Sequence, residues 1–216
     1  MFGPLKSLLF LAVLWLPLSF FVWFYFAQIF VMPIASMANW VLQHLLPNVF
    51  TGVEQTRHIL AFITTLPIDP ALLVGVDTSQ GTPAVVVEAN PMIYGYCIPV
   101  LVGLVMATPL RNWQRLWQIG VGVIILSAVQ TFGTVFDVLK SLGLQAGDEA
   151  SRVITDAGLS LNLIAFCYQF GYLVLPAITP VILWVVFNQA FIQGLITTEG
   201  SELPEVGTSS PETKSQ

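Results

Sequence analysis

Long apolar runs separated by short polar segments dominate the chain. The four runs are residues 8–31, 91–109, 116–139 and 161–187. An α-helix needs about 20 apolar residues to cross the hydrocarbon core of a bilayer, and each run is close to or above that length. The pattern predicts a mainly α, polytopic membrane protein with about four transmembrane helices. We place the first in residues 1–33 and the other three in a membrane region over residues 91–189.

The first apolar run also raises the question of a cleaved signal peptide. It follows Lys6, and Ser36-Met37-Ala38 loosely resembles a cleavage site. However, the run is much longer than the 7–15 apolar residues, roughly, of a signal peptide. We therefore expect a retained signal anchor that ends or bends at Pro33.

Residues 34–90 have a different character and predict an extracytoplasmic segment. Residues 35–46 are typical of a short interfacial helix, with Trp40 as an anchor at the membrane surface. Short runs rich in β-branched residues, bounded by Pro and Gly turns, then predict two or three antiparallel strands. These runs are His58–Leu66, Leu72–Asp77 and Ala84–Ala89. A sheet this small is marginal alone, so we expect it to pack on the helices or on a partner.

Composition supports the membrane assignment. The chain is 56% hydrophobic and only 9% charged, whereas a soluble domain carries about 25% charged residues. No basic patch exists, which argues against nucleic-acid binding.

Residues 190–216 form an acidic tail rich in Ser, Thr, Glu and Pro, which we expect to be disordered. Arg111 and Arg115 in a tight loop predict, by the positive-inside rule, that both termini are cytoplasmic.

Polar residues within the apolar runs are the best candidates for function, because an ionisable group at mid-span costs about 2.5–3.5 kcal/mol on insertion. With the predicted topology they gather in the outer leaflet, where we expect a polar binding pocket. Its predicted members are Asn90, Tyr94, Gln130, Thr134, Asp137, Gln169 and Tyr172. The alternative is that these side chains only join helices by hydrogen bonds, or that Asp137 simply pairs with Lys140 one turn on.

Small residues recur every four positions in the second membrane run. Gly95, Gly103 and Ala107 lie on one helical face together with Pro99. Small residues allow helices to approach closely in a membrane, so this pattern predicts a helix-contact face.

The residue types required for catalysis are sparse. His44 and His58 have no evident nucleophile beside them, and no ligand spacing typical of a metal site and no nucleotide-binding motif is present. We therefore expect no metal and no cofactor and favour a non-enzymatic role. Two alternatives stay open: an intramembrane hydrolase or transferase centred on Asp137, and a small transporter component.

Three stretches carry a resemblance to a known family. They are Glu88–Tyr96, Ala128–Lys140 and Tyr168–Pro180. With them, most of residues 8–192 resembles the exosortase H-associated membrane proteins of Gram-negative bacteria. This resemblance implies a multi-pass protein of the inner membrane that contacts lipid and partners an exosortase or the protein that the exosortase sorts.

The chain also resembles, distantly, the exosortases themselves, which are membrane transpeptidase-like enzymes. Where that family has Cys-Ser-Gly, this chain has Asn90-Pro91-Met92. The place of the family's Arg falls within residues 130–133, and no His follows His58. The resemblance therefore implies a non-catalytic relative that acts as an accessory protein in sorting and binds the enzyme or the sorting signal through the outer polar pocket.

Overall fold

The computed structural model describes residues 4–68 and 84–200. Three of its helical segments are long and apolar enough to cross a membrane: Lys6–Tyr25, Asn112–Gln145 and Leu161–Phe187. Met92–Ala107 is a shorter apolar helical segment. The prediction of a mainly α membrane protein with a small sheet is therefore confirmed, with three full-length candidate spans and one short one.

The helices and strands follow one another in a simple order. The N-terminal part contains α1 (Pro4–Tyr25), α2 (Ala27–Leu45), β1 (Phe50–Thr56), β2 (Ile59–Pro67) and β3 (Ala84–Ala89). The C-terminal part contains α3 (Met92–Gly95), α4 (Cys97–Ala107), α5 (Asn112–Gln145), α6 (Asp148–Asp156), α7 (Leu161–Gln169), a π-turn (Phe170–Val174), α8 (Leu175–Phe187) and α9 (Gln189–Gly200).

The first helix break lies at Phe26, seven residues before the bend expected at Pro33. Pro33 instead lies inside α2, where its missing N–H and its ring cost about 3 kcal/mol in an isolated helix. Helix α2 buries an apolar face, including Val31, Ile34 and Leu42, against α5 and β1. This burial offsets the cost of Pro33, and it makes α2 part of the core and not only an interfacial helix.

The sheet is antiparallel, with strand order β1-β2-β3. Two of the predicted strands are found as β2 and β3, and the run Leu72–Asp77 lies outside the described residues. Strand β1 was not predicted, because its sequence has little apolar alternation. It forms a hairpin with β2 through a two-residue turn in which Arg57 adopts a positive φ of 58°.

A hydrophobic core joins the sheet to the helices at one end of the bundle, which we call the sheet end. Leu60 and Phe62 of β2 are fully buried and belong to the same core as Val138, Leu139 and Leu142 of α5. Helix α5 has 34 residues and is therefore about 51 Å long. It is longer than the ~30 Å hydrocarbon core of a bilayer, and its last turns pack against the sheet.

Helix α1 lies close to α4 at Gly103 and close to the end of α3 at Gly95, two of the small residues that the sequence singles out. A β-carbon at Gly103 would lie 3.1 Å from the Leu16 Cα, and one at Gly95 would lie 2.7 Å from Trp23 Cζ2. Ala107 is 1% exposed. The Ser19 hydroxyl of α1 also donates a hydrogen bond to the Pro99 carbonyl (2.8 Å). The close approach of α1 and α4 thus depends on the absence of larger side chains.

The end of the bundle opposite the sheet holds a separate set of polar contacts. The side-chain amides of Gln118 and Asn188 donate to each other's oxygens, both at 3.1 Å. The Trp184 indole donates to the Thr108 hydroxyl (2.9 Å).

Helix α9 continues the chain to Gly200, so the first part of the tail expected to be disordered is helical. Residues 201–216 lie outside the described residues.

Candidate functional site

An ion pair lies at the sheet end of α5. The Lys140 ammonium group is 3.0 Å from the Asp137 carboxylate, one helical turn away. The two side chains are 20% and 14% exposed, respectively. This is the local pairing that the sequence left open as an alternative for Asp137. The pairing compensates the charge of the Asp137 carboxylate, which is too buried to be fully hydrated.

The same lysine also contacts an aromatic ring on the neighbouring helix. Its ammonium nitrogen lies 4.0 Å from the centroid of the Tyr168 ring, within the range of a cation–π interaction. The ring of Tyr168 stacks in parallel with that of Tyr172, at 6.0 Å between centroids. These two tyrosines are four residues apart, and therefore lie on one face of the helix.

Tyr172 connects this surface to the interior. Its ring meets the ring of Tyr94 edge to face, at 6.1 Å and 86°. Tyr94 is fully buried. Tyr94, Asp137, Lys140, Tyr168 and Tyr172 therefore form one connected group, which we call the tyrosine–ion cluster.

The π-turn places Tyr172 in this cluster. Pro176 has no N–H to donate to the Tyr172 carbonyl four residues earlier, so the regular α-helical ladder cannot continue through this point. The chain widens into the π-turn Phe170–Val174, a type of bulge that is frequent at functional sites. Within it, a β-carbon at Gly171 would lie 3.2 Å from the Gly133 Cα, so the turn lies directly against α5.

Gln130 and Thr134 lie beneath the cluster and are 2% and 0% exposed. The Gln130 amide donates to the Cys97 sulfur (3.9 Å), and the Cys97 thiol donates to the Tyr94 carbonyl (3.2 Å). The Thr134 hydroxyl donates to the Gln130 carbonyl within α5 (2.9 Å). These contacts hold the base of Tyr94 in place.

The remaining two predicted pocket residues lie apart from the cluster. Asn90 is half-buried, and its side-chain oxygen accepts a hydrogen bond from the Met92 N–H (3.1 Å) at the start of α3. Gln169 is exposed, and within the described residues its side chain has no hydrogen-bond partner. The structure thus brings Tyr94, Asp137 and Tyr172 together above Gln130 and Thr134, but not Asn90 or Gln169.

Two members of the cluster were not among the predicted site residues. Lys140 was considered only as a partner for Asp137, and Tyr168 was not considered as a functional residue. The available signal was the four-residue spacing of Tyr168 and Tyr172, which predicts adjacent rings on one helical face. The described residues contain no group of three or more His, Cys, Asp or Glu side chains arranged to hold a metal ion.

These observations define a polytopic, mainly α membrane protein that carries a small sheet and a partly buried polar cluster at one end. The chain belongs to the family of exosortase H-associated membrane proteins, whose model matches residues 3–191. This match confirms the family resemblance seen in the sequence. A search of the curated proteins and a search of the solved structures find no match to the chain.

Proposed function

We propose that this protein is a non-catalytic accessory component of an exosortase-type sorting system in the bacterial inner membrane. In this proposal it binds the exosortase, or the sorting signal of its substrate, through the tyrosine–ion cluster. The family description names an association with an exosortase. The topology predicted from Arg111 and Arg115 places the sheet end on the outer side, with both termini in the cytoplasm.

The observation that carries the proposal is the accessible edge of the tyrosine–ion cluster. Tyr172 is 39% exposed, and the Asp137–Lys140 pair is partly exposed beside it. Tyrosine is enriched at binding hot spots because it combines a large apolar area with a hydroxyl group. A rigid aromatic surface next to one acid and one base suits recognition of a polypeptide segment at the membrane surface.

The environment of Cys97 supports a non-catalytic role. A thiolate, and not a thiol, is the nucleophile in cysteine catalysis. The Cys97 side chain is fully buried, and its thiol is engaged with the Tyr94 carbonyl. This sulfur is thus part of the packing below the cluster and is not placed to attack a substrate.

Photo-crosslinking from position 172 tests the proposal. A photoreactive amino acid in place of Tyr172 reports on the accessible edge, whereas one in place of the fully buried Tyr94 would disturb packing. The matched control is position 173, where Leu173 is 61% exposed. We expect an exosortase or a sorted protein to be captured in the native host from position 172 and lipid from position 173. Capture of lipid alone from both positions would reject the proposal.

A further inference from the structure

A groove runs along the outer edge of β3 at the sheet end. Its volume is about 290 Å³. The groove is lined by Val85–Glu88 of β3, by Ser141, Gln145 and Ala146 at the end of α5, and by Ile68, which follows β2. Strand β2 pairs with one edge of β3, and among the described residues no strand pairs with the other edge.

The unpaired edge determines what kind of molecule fits. Alternate backbone N–H and C=O groups of an edge strand point away from its sheet and can pair with a further strand. Val85–Glu88 spans about 13 Å at ~3.3 Å per residue. A helix pairs its own backbone groups internally and would leave those of the β3 edge unpaired, whereas an extended segment can pair with them. The free edge of β3 therefore favours an extended segment over a helix.

The lining also distinguishes a peptide from a lipid chain. Ser141 and Gln145 present hydrogen-bonding side chains opposite the β3 backbone, and these can pair with a peptide backbone but not with an acyl chain. Glu88 is exposed and is the one ionisable side chain among the lining residues. Its charge complements a basic side chain on the occupant and disfavours an acidic one.

We infer that this groove binds an extended segment of a polypeptide partner, which adds to the sheet as a fourth strand beside β3 and carries a basic side chain opposite Glu88. This inference rests on the proposed function and assigns a second contact surface to it. Strand addition at a sheet edge derives affinity from main-chain hydrogen bonds and specificity from alternate side chains. Because β3 leads directly to Pro91 and α3, the segment would lie beside the point where this chain enters the membrane region.

The spacing of crosslinks tests the extended conformation. Photoreactive amino acids replace Ser141 and Gln145, one at a time, in the otherwise complete chain in its native host. These positions are about 6 Å apart along α5, which corresponds to about two residues of an extended strand. We expect both to capture the same partner segment, at sites about two residues apart. Sites about four residues apart would indicate a helix and overturn the inference.

Two controls complete the test. Leu144 is 55% exposed on the same helix and is not among the lining residues, so a probe there should not capture the segment. The variant Glu88→Lys should reduce capture from Gln145 by roughly two- to five-fold, the range expected for a partly exposed ion pair, and Glu88→Gln should reduce it less. Equal capture from the unchanged chain and from both Glu88 variants would refute the basic side chain on the occupant.

The outcomes separate this inference from the proposed function. If position 172 captures an exosortase or a sorted protein but positions 141 and 145 capture only lipid, the groove is not a binding site and the accessory role stands. Crosslinks from these positions to residues 69–83 of the same chain would also overturn the inference. If none of the three positions captures a sorting component, both proposals fail.

Discussion

The ring of Tyr94 lies directly against Gly133: a β-carbon on this glycine would be 2.8 Å from Tyr94 Cδ1 and 2.9 Å from Cγ. Because Tyr94 is fully buried, its ring cannot easily move away from a side chain added at position 133. The glycine therefore sets the depth at which Tyr94 enters the bundle, and with it the position of the Tyr94 edge that meets Tyr172.

Replacing Gly133 with alanine should consequently destabilise the protein. The added methyl group overpacks a filled site, for which we expect a loss of about 1–3 kcal/mol in the free energy of unfolding. Reversible unfolding of the purified protein in mixed detergent micelles measures this. The matched control is Gly120→Ala on the same helix, where nothing lies within 4 Å of the added carbon. An equal effect of both variants would show that Tyr94 is not held against Gly133.

The Asp137–Lys140 pair should show a measurable coupling. Removing only the lysine, as in Lys140→Met, leaves a partly buried carboxylate without its counter-charge and also ends the contact with the Tyr168 ring. We expect this single change to cost more stability than the double change Asp137→Asn with Lys140→Met. The partial exposure of both groups limits the coupling to about 1 kcal/mol. A double-mutant cycle in the same unfolding assay measures it, and strictly additive effects would contradict the pairing.

The extent to which sequence predicts this fold differs between its elements. The apolar runs predict the helices because length and hydropathy suffice for a membrane span. They do not predict the break at Phe26, since that position depends on how α2 packs against α5. Strand β1 was missed for a related reason: its pairing with β2 is a tertiary contact, and its own residues lack the alternation that marks a half-buried strand.

The candidate site, like the fold, could be predicted only in part from the sequence. The cost of polar groups in a membrane identifies Asp137 and Gln130 from sequence alone. Helical periodicity alone does not show that Lys140 reaches the Tyr168 ring on another helix, or that the π-turn orients Tyr172 toward Tyr94. Gln169 shows the opposite error. The sequence predicts it as a pocket residue, but its side chain is exposed.

At the opposite end of the bundle, the reciprocal amide pair should stabilise the contact between α5 and the end of α8. Gln118 and Asn188 are 5% and 3% exposed, so an apolar substitution of one leaves part of the other unpaired. We expect Gln118→Leu to cost about 1 kcal/mol, within the range measured for hydrogen bonds between membrane helices. Adding Asn188→Leu should restore part of this loss. A double variant that is less stable than either single variant would contradict the reciprocal pairing.

Asp137→Asn separates the accessory role from an intramembrane enzyme centred on this carboxylate. Asparagine keeps the shape of the side chain but removes its charge, so the attraction to Lys140 weakens and the tyrosine–ion cluster loosens. In an accessory protein, the yield of sorted product should fall in proportion to the partner captured from position 172. In an enzyme that uses Asp137 chemically, product formation would stop while partner capture continued.

Both quantities are measurable in one strain. The sorted protein is followed by the change in its mass, and capture is quantified from the crosslinked band, each normalised to the abundance of this chain. The variant Lys140→Arg serves as the control, because it preserves the ion pair and the contact of a cation with Tyr168. We expect this control to retain at least half of both signals. Complete loss of product from Asp137→Asn with undiminished capture would overturn the accessory role and assign the carboxylate to catalysis.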